Sequence, residues 1–120
     1  MFAVPESPEL QATFRALADP TRRRIIALLG EHDRTVVQLA GHFDITRAAV
    51  KKHLLVLEDG GVVVSESRGR ERINRLNPGA LKRAADWLSY FDSFWDERLE
   101  ALQGAVEEEL SQQQKEEKDE

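Results

Sequence analysis

The chain has no cysteine, which excludes disulfides, thiolate metal sites and thiol redox sensing together. It has no apolar run approaching the roughly 18 residues of a membrane span, and its start, MFAVPESPEL, lacks the basic region and long apolar stretch of a secretory signal. A cytoplasmic protein with no membrane partner is expected. Phosphate-cradling glycine loops, Ser/Cys-His-Asp sequence motifs and metal-ligand clusters are missing as well, so the pattern points to no enzyme and no cofactor. What is present is 120 residues, enough for one modest core. They are 41% apolar and 32% charged, richer in charge than the roughly 25% usual in soluble proteins.

That charge is unevenly spread. Residues 1–19 carry one Arg against three acids, residues 20–83 thirteen Lys or Arg against seven acids, and residues 84–120 three against twelve. A basic middle joined to an acidic end offers a local positive surface despite the net charge of −5, and local potential is what a phosphate backbone meets.

Helix boundaries are well punctuated. Ser7-Pro8-Glu9, Asp19-Pro20 and Asn77-Pro78 each place a capping side chain before proline, Thr35 with Gln38 forms a candidate capping box, and Thr46 caps the segment that follows it. Gly30 and Gly60-Gly61 supply stops. Between these marks the apolar spacing is helical: Leu10, Phe14 and Leu17; then Ile25, Ile26, Leu28 and Leu29; then Val36, Leu39 and Ala40 in a short helix to about His42; then Val50, Leu54 and Leu57. After Gly61 the period changes, and Val62 to Leu76 reads as a hairpin with a glycine-containing turn at Arg68-Gly69-Arg70. From Pro78 the helical spacing returns through Leu81, Ala84, Leu88, Phe91, Trp95, Leu99, Leu102, Val106 and Leu110, predicting one helix of about 30 residues, or about 45 Å.

With Val50, Leu54 and Leu57 facing the core, Ala48, Lys51 and Lys52 point roughly the opposite way and Arg47 lies at the edge in the first turn. Small residues beside cations suit close approach to DNA. The preceding short helix is joined by only a few residues, a helix-turn-helix spacing, and the cap at Thr46 directs free backbone N–H groups toward an anion. Arg68, Arg70, Arg72 and Arg75 in the hairpin add four more cations, with Glu66 and Glu71 among them. A basic hairpin after a helix-turn-helix is a wing. Leu55, on the side of Lys51, fits no core and either packs on the wing or stands exposed.

LADPTRRRIIALL (residues 17–29), LAGHFDITRAAVKKHLLVLEDGGVV (39–63) and GRERINRLNP (69–78) together resemble the ArsR family of bacterial winged-helix repressors, over about Leu10 to Leu102. The resemblance implies a homodimer that binds double-stranded operator DNA and represses transcription. It implies recognition-helix positions for Thr46, Arg47, Ala48, Lys51, Lys52 and His53, and wing positions for Arg68, Arg70 and Arg72. Family members that sense metals use cysteines near the helix before the recognition helix, or Asp and His on the C-terminal helix. This chain departs from both patterns, because its three histidines, His32, His42 and His53, all precede the hairpin. No regulatory transition-metal site is expected, since carboxylates alone suit harder cations; no inducing ligand is identified. His32 reads as a loop residue, His42 as a helix-end packing residue, and His53 as either a phosphate donor or an internal partner.

The expected fold is therefore mainly α with a small β-hairpin: a winged helix-turn-helix, dimeric through its N- and C-terminal helices. Residues 1–7 are expected to be flexible, 8–110 to form the DNA-binding and dimerisation domain, and 111–120 to be an acidic, disordered tail. Leu10, Phe14, Leu17, Leu88, Phe91, Trp95, Leu99 and Leu102 are the expected two-fold interface, because the last helix has more apolar surface than one small core covers. Such a dimer would set its recognition helices about 34–36 Å apart. The competing expectation is a winged-helix module that binds a partner protein and reads no DNA.

Overall fold

The computed structural model describes residues 6–118. The elements are α1 (Pro8–Leu17), α2 (Pro20–Glu31), β1 (Arg34–Thr35), α3 (Val36–Ala40), α4 (Arg47–Asp59), β2 (Val63–Arg68), β3 (Glu71–Leu76), α5 (Pro78–Ser89) and α6 (Asp92–Lys118). They divide into two compact units, one ending at Trp87 and the other beginning at Leu88. Most of the expected 1–7 segment lies outside the described residues, but Ser7 is ordered as the N-cap of α1, its Oγ accepting from the Leu10 N–H at 3.1 Å.

In the first unit the caps act as the sequence implies. Asp19 accepts from the Arg22 N–H, Thr46 accepts from the Ala49 N–H, and Thr35 and Gln38 form a reciprocal capping box. Each satisfies backbone donors that a helix end leaves unpaired. Gly30 is not a stop: α2 runs through it to Glu31. The linker from α3 to α4 runs from Gly41 to Thr46, because α3 ends at Ala40 rather than His42.

Ala16, Ile25, Leu29, Leu39, Val50, Leu54, Leu57, Val62, Val63 and Ala80 form the buried core, and each large aliphatic member contributes about 1.5–3 kcal/mol by leaving water. The sheet has three strands in the order β1-β3-β2, all antiparallel, rather than a hairpin alone. The added strand is two residues long, Arg34 opposite Asn74 and Thr35 opposite Ile73, too short for any alternation to mark it in the sequence. The hairpin turn is at Gly69-Arg70, with Gly69 at φ 63°.

Leu10, expected at a dimer interface, is buried within this unit, and Phe14 is half-buried with its ring edge-on to Trp87 at 5.4 Å. The α1 stripe is therefore largely spent inside the protomer.

The single long helix expected from Pro78 is instead two, α5 and α6, separated by a turn at Tyr90-Phe91. The run SYFDSFW explains the break: aromatic side chains lose rotamer freedom in a helix, and Ser and Asp compete for the backbone. Alpha-6 continues to Lys118, so residues 111–118 are helical rather than disordered; residues 119–120 lie outside the described residues. Its Glu, Gln and Lys content favours helix, and Gln103 donates to Glu107 one turn on.

Candidate nucleic-acid interface

The interface is built on α4 and the β2–β3 hairpin. Beyond the Thr46 cap, Arg47, Ala48, Lys51 and Lys52 are all exposed, while Val50, Leu54 and Leu57 are buried on the other side. The outward face thus carries three cations around a small residue, held against the core by the aliphatic seam.

His53 does not join them. It is half-buried against α2, with Nδ1 3.4 Å from the Arg22 guanidinium and 3.9 Å from the Asp19 carboxylate. This places it among internal partners rather than on the outward face. Asp19 is held below the ordinary carboxylate range chiefly by the hydrogen bond from the Arg22 N–H, against the opposing effect of burial, with the nearby Arg22 guanidinium and His53 imidazole assisting. A carboxyl depressed in the folded state contributes stability that is complete above its unfolded-state pKa and is lost as pH falls through the folded-state value. Asp19→Ala should therefore cost about 0.5–2 kcal/mol at pH 7, the range for losing a cap. The gap from wild type should narrow toward pH 3 in urea unfolding; an equal gap at both pH values would contradict this role.

The wing cations are divided between two faces. Antiparallel partners share a face, so Ser65, Ser67, Arg72 and Asn74 lie on one side and Val64, Glu66, Arg68, Glu71, Ile73 and Arg75 on the other. Glu66 lies 4.0 Å from Arg68 and 3.7 Å from Arg75, which offsets both. Arg70 is at the turn and exposed, and Arg72 is exposed on the side that carries Asn74.

Other cations of the basic middle have structural work, which sequence reasoning missed. Arg22 donates from Nε to the Ala16 carbonyl and from a terminal nitrogen to that of Arg15, both at 2.9 Å, and Arg23 donates to Leu17, so the two close the C-terminus of α1. Arg24 lies over the Phe43 ring at 5.0 Å. Arg34 donates to the Leu28 carbonyl and the Glu31 carboxylate and contacts His42. His42 is thus exposed beside Arg34 rather than packed. The only foresignal is position: each of these arginines falls just after a helix end or its cap, where carbonyls need donors. On α4 and the hairpin, by contrast, Arg47, Lys51, Lys52, Arg70 and Arg72 make no ion pair among the described residues.

No three His, Asp or Glu side chains converge as metal ligands among the described residues, and no helix there is long and apolar enough to cross a membrane.

A helix-turn-helix with a capped, cation-bearing second helix and a hairpin wing on a three-stranded sheet defines a winged-helix DNA-binding protein. Comparison with known proteins agrees. A helix-turn-helix domain model matches residues 17–66. The transcriptional repressor SdpR of Bacillus subtilis is 33% identical over 86 residues, covering 72% of this chain and 96% of SdpR. An ArsR-like transcriptional regulator from Rhodococcus sp. RHA1 superposes with a TM-score of 0.65 at 37% identity, over 78% of this chain and 89% of that one. The cadmium metal-sensor CmtR of Mycobacterium tuberculosis does so at 0.51 and 38% identity, over 61% and 76%. The chain belongs to the ArsR family of helix-turn-helix transcriptional regulators.

Proposed function

We propose that the chain is a homodimeric repressor that reads operator DNA with α4 and touches the flanking backbone with the wing, without a regulatory transition metal. The observation that carries this reading is the set of five cations on α4 and the hairpin left without ion pairs, while neighbouring arginines are consumed by the fold. Thr46, Arg47, Ala48, Lys51 and Lys52 form the outward part of α4, with Arg70 and Arg72 at the wing. Arg68 is weakened by Glu66, and His53 acts indirectly, by holding α4 against the N-terminus of α2. Selection from a random duplex pool tests it: recovery of a two-fold related motif is expected, and a protein that enriches no sequence while co-purifying with another protein would favour the interaction-module reading.

Dimerisation is assigned to α6. Trp95, Leu99, Leu102, Val106 and Leu110 are exposed at successive spacings of four, three, four and four residues along a helix of 27 residues, about 40 Å. The first four follow the two-in-seven seam of paired helices, with Leu110 one residue beyond it, and a row of large apolar side chains is costly to leave in water. Replacing Leu99 and Leu102 together by Glu should convert a micromolar dimer into a monomer in sedimentation while far-ultraviolet dichroism keeps the helices of the first unit. A variant that sediments like wild type would rule out this face.

A further inference from the structure

A cavity of about 410 Å³ lies within the first unit between α4 and the wing, lined by Val36, Lys51, Leu54, Leu55, Glu58, Ser65, Arg72 and Asn74. Four of these, Lys51, Leu54, Leu55 and Glu58, repeat at i, i+3, i+4 and i+7, so α4 presents a second stripe here that shares Leu54 with its core seam. Leu55, 59% exposed and unexplained by the core, is part of this wall. The volume is within the range of small-molecule sites.

The two ends of the cavity differ in chemistry. Lys51 and Glu58 are seven residues apart, about 10 Å along α4. The Glu58 carboxylate contacts Ser65, so it belongs to the end where Ser65 faces Asn74 across the strands; Arg72 lies two residues nearer the hairpin turn. Lys51 and Arg72 are thus each displaced from the end that carries a carboxylate, a hydroxyl and an amide, with Leu54, Leu55 and Val36 as apolar walls.

The polar end is short of a proton. Ser65 Oγ lies 2.6 Å from Asn74 Oδ1 and also contacts a Glu58 carboxylate oxygen. Asn74 Nδ2 donates to the Arg34 carbonyl at 3.2 Å, which fixes the amide with its oxygen toward Ser65. A hydroxyl has one proton and serves one of the two oxygens at a time. Asn74 is 1% exposed and its oxygen accepts from Ser65, so when that bond is made the half-buried Glu58 carboxylate remains an acceptor on the cavity wall. A donor entering from the cavity completes the set.

We infer that this cavity is a binding site for a small, mostly apolar organic anion that carries an N–H or O–H at its buried end and its anionic group between Lys51 and Arg72. Because both cations also belong to the proposed DNA-facing set, an occupant neutralises part of that surface and lowers duplex affinity; this coupling rests on the DNA reading, whereas the binding site does not.

The probe is 6-hydroxynaphthalene-2-sulfonate, whose apolar rings hold an O–H and an anionic group at opposite ends, titrated by fluorescence into the full chain without DNA. Saturable binding of one probe per protomer is expected. Leu55→Glu should weaken it at least about tenfold by placing a charge on the apolar wall, and Arg72→Gln about three- to tenfold by removing one charge-assisted bond. Arg72 is exposed, so this second variant keeps the test alive should Leu55→Glu fold poorly; thermal melts monitor both. Paired substitution of Leu99 and Leu102 by Glu should leave cavity binding intact. Probe binding that survives Leu55→Glu and Arg72→Gln but disappears with the α6 pair would overturn the site, as would no saturation below about 1 mM, the affinity of a weak millimolar ligand. Cavity binding by a chain that binds no duplex at all would uphold the site and sink the DNA reading. Cavity binding that leaves the affinity of a DNA-binding chain unchanged would overturn the shared use of Lys51 and Arg72.

Discussion

A chain carrying Arg47→Glu and Lys52→Glu should lose at least about a hundredfold in duplex affinity at low salt and keep its fold. If the wild-type dimer neutralises six to ten phosphates, its affinity falls by about 10³- to 10⁵-fold between 50 and 200 mM salt. Two reversals per protomer remove about four contacts from the dimer, and each phosphate contact contributes about one to the slope of log affinity against log salt. The same salt interval should then cost the variant only about 10- to 10³-fold. Neither substitution touches the core or the cavity lining: both side chains are exposed and make no ion pair among the described residues. Arg47 is the first residue of α4, where a carboxylate is favoured by the helix dipole, so thermal stability should stay level or rise slightly. Loss of binding with an unchanged melt assigns the effect to the surface rather than to unfolding. An unchanged salt slope would remove α4 from the interface, whatever the affinity.

The local devices of this fold were legible in the sequence because each is satisfied within four residues. The caps at Ser7, Asp19 and Thr46, the box at Thr35 and Gln38, and the glycine turn of the hairpin all follow from short-range hydrogen bonding and allowed dihedral angles, and the structure has each of them. The core seam Val50, Leu54, Leu57 follows equally from periodicity. What was illegible depends on partners far along the chain. Nothing near Arg34 in sequence says that its carbonyl will accept from Asn74, 40 residues away, or that His53 will meet Asp19 rather than a phosphate. Charge counting overestimated the basic surface for the same reason. A count treats Arg22, Arg34 and Arg72 alike, although the first two are occupied with helix-end carbonyls and only the third stands free. The cavity was invisible in sequence, but Leu55 was its trace: a leucine on the wrong side of an otherwise regular helix.

The adjacent glycines that end α4 show how one sequence signal can hide two different physical demands, and they should respond oppositely to the same pair of substitutions. Both read as helix stops, yet only Gly61, at φ 71°, adopts the left-handed conformation; Gly60 is right-handed, at φ −78°. Gly60 is glycine because α1 crosses it: an added Cβ would lie 2.8 Å from the Ala12 carbonyl oxygen and 2.9 Å from the Ala16 Cβ. The backbone there is also held by Thr13, whose Oγ1 donates to the Gly60 carbonyl at 2.7 Å, so α1 and α4 have little freedom to separate. Gly60→Ala should therefore destabilise by about 1–3 kcal/mol through overpacking, lowering the melting temperature by about 4–8 °C for each kcal/mol in a unit of this size. Gly60→Asn, being larger, should be worse. At Gly61 the nearest atoms to an added Cβ are 3.7 Å away, so space is available and the backbone angle is the obstacle. Gly61→Ala should cost about 1–2 kcal/mol, and Gly61→Asn should recover part of it because asparagine tolerates the left-handed region. Urea unfolding of the four variants distinguishes the two demands: Asn milder than Ala at 61 and harsher than Ala at 60. The same order at both positions would mean that the close approach of α1 to α4 does not set the requirement at Gly60.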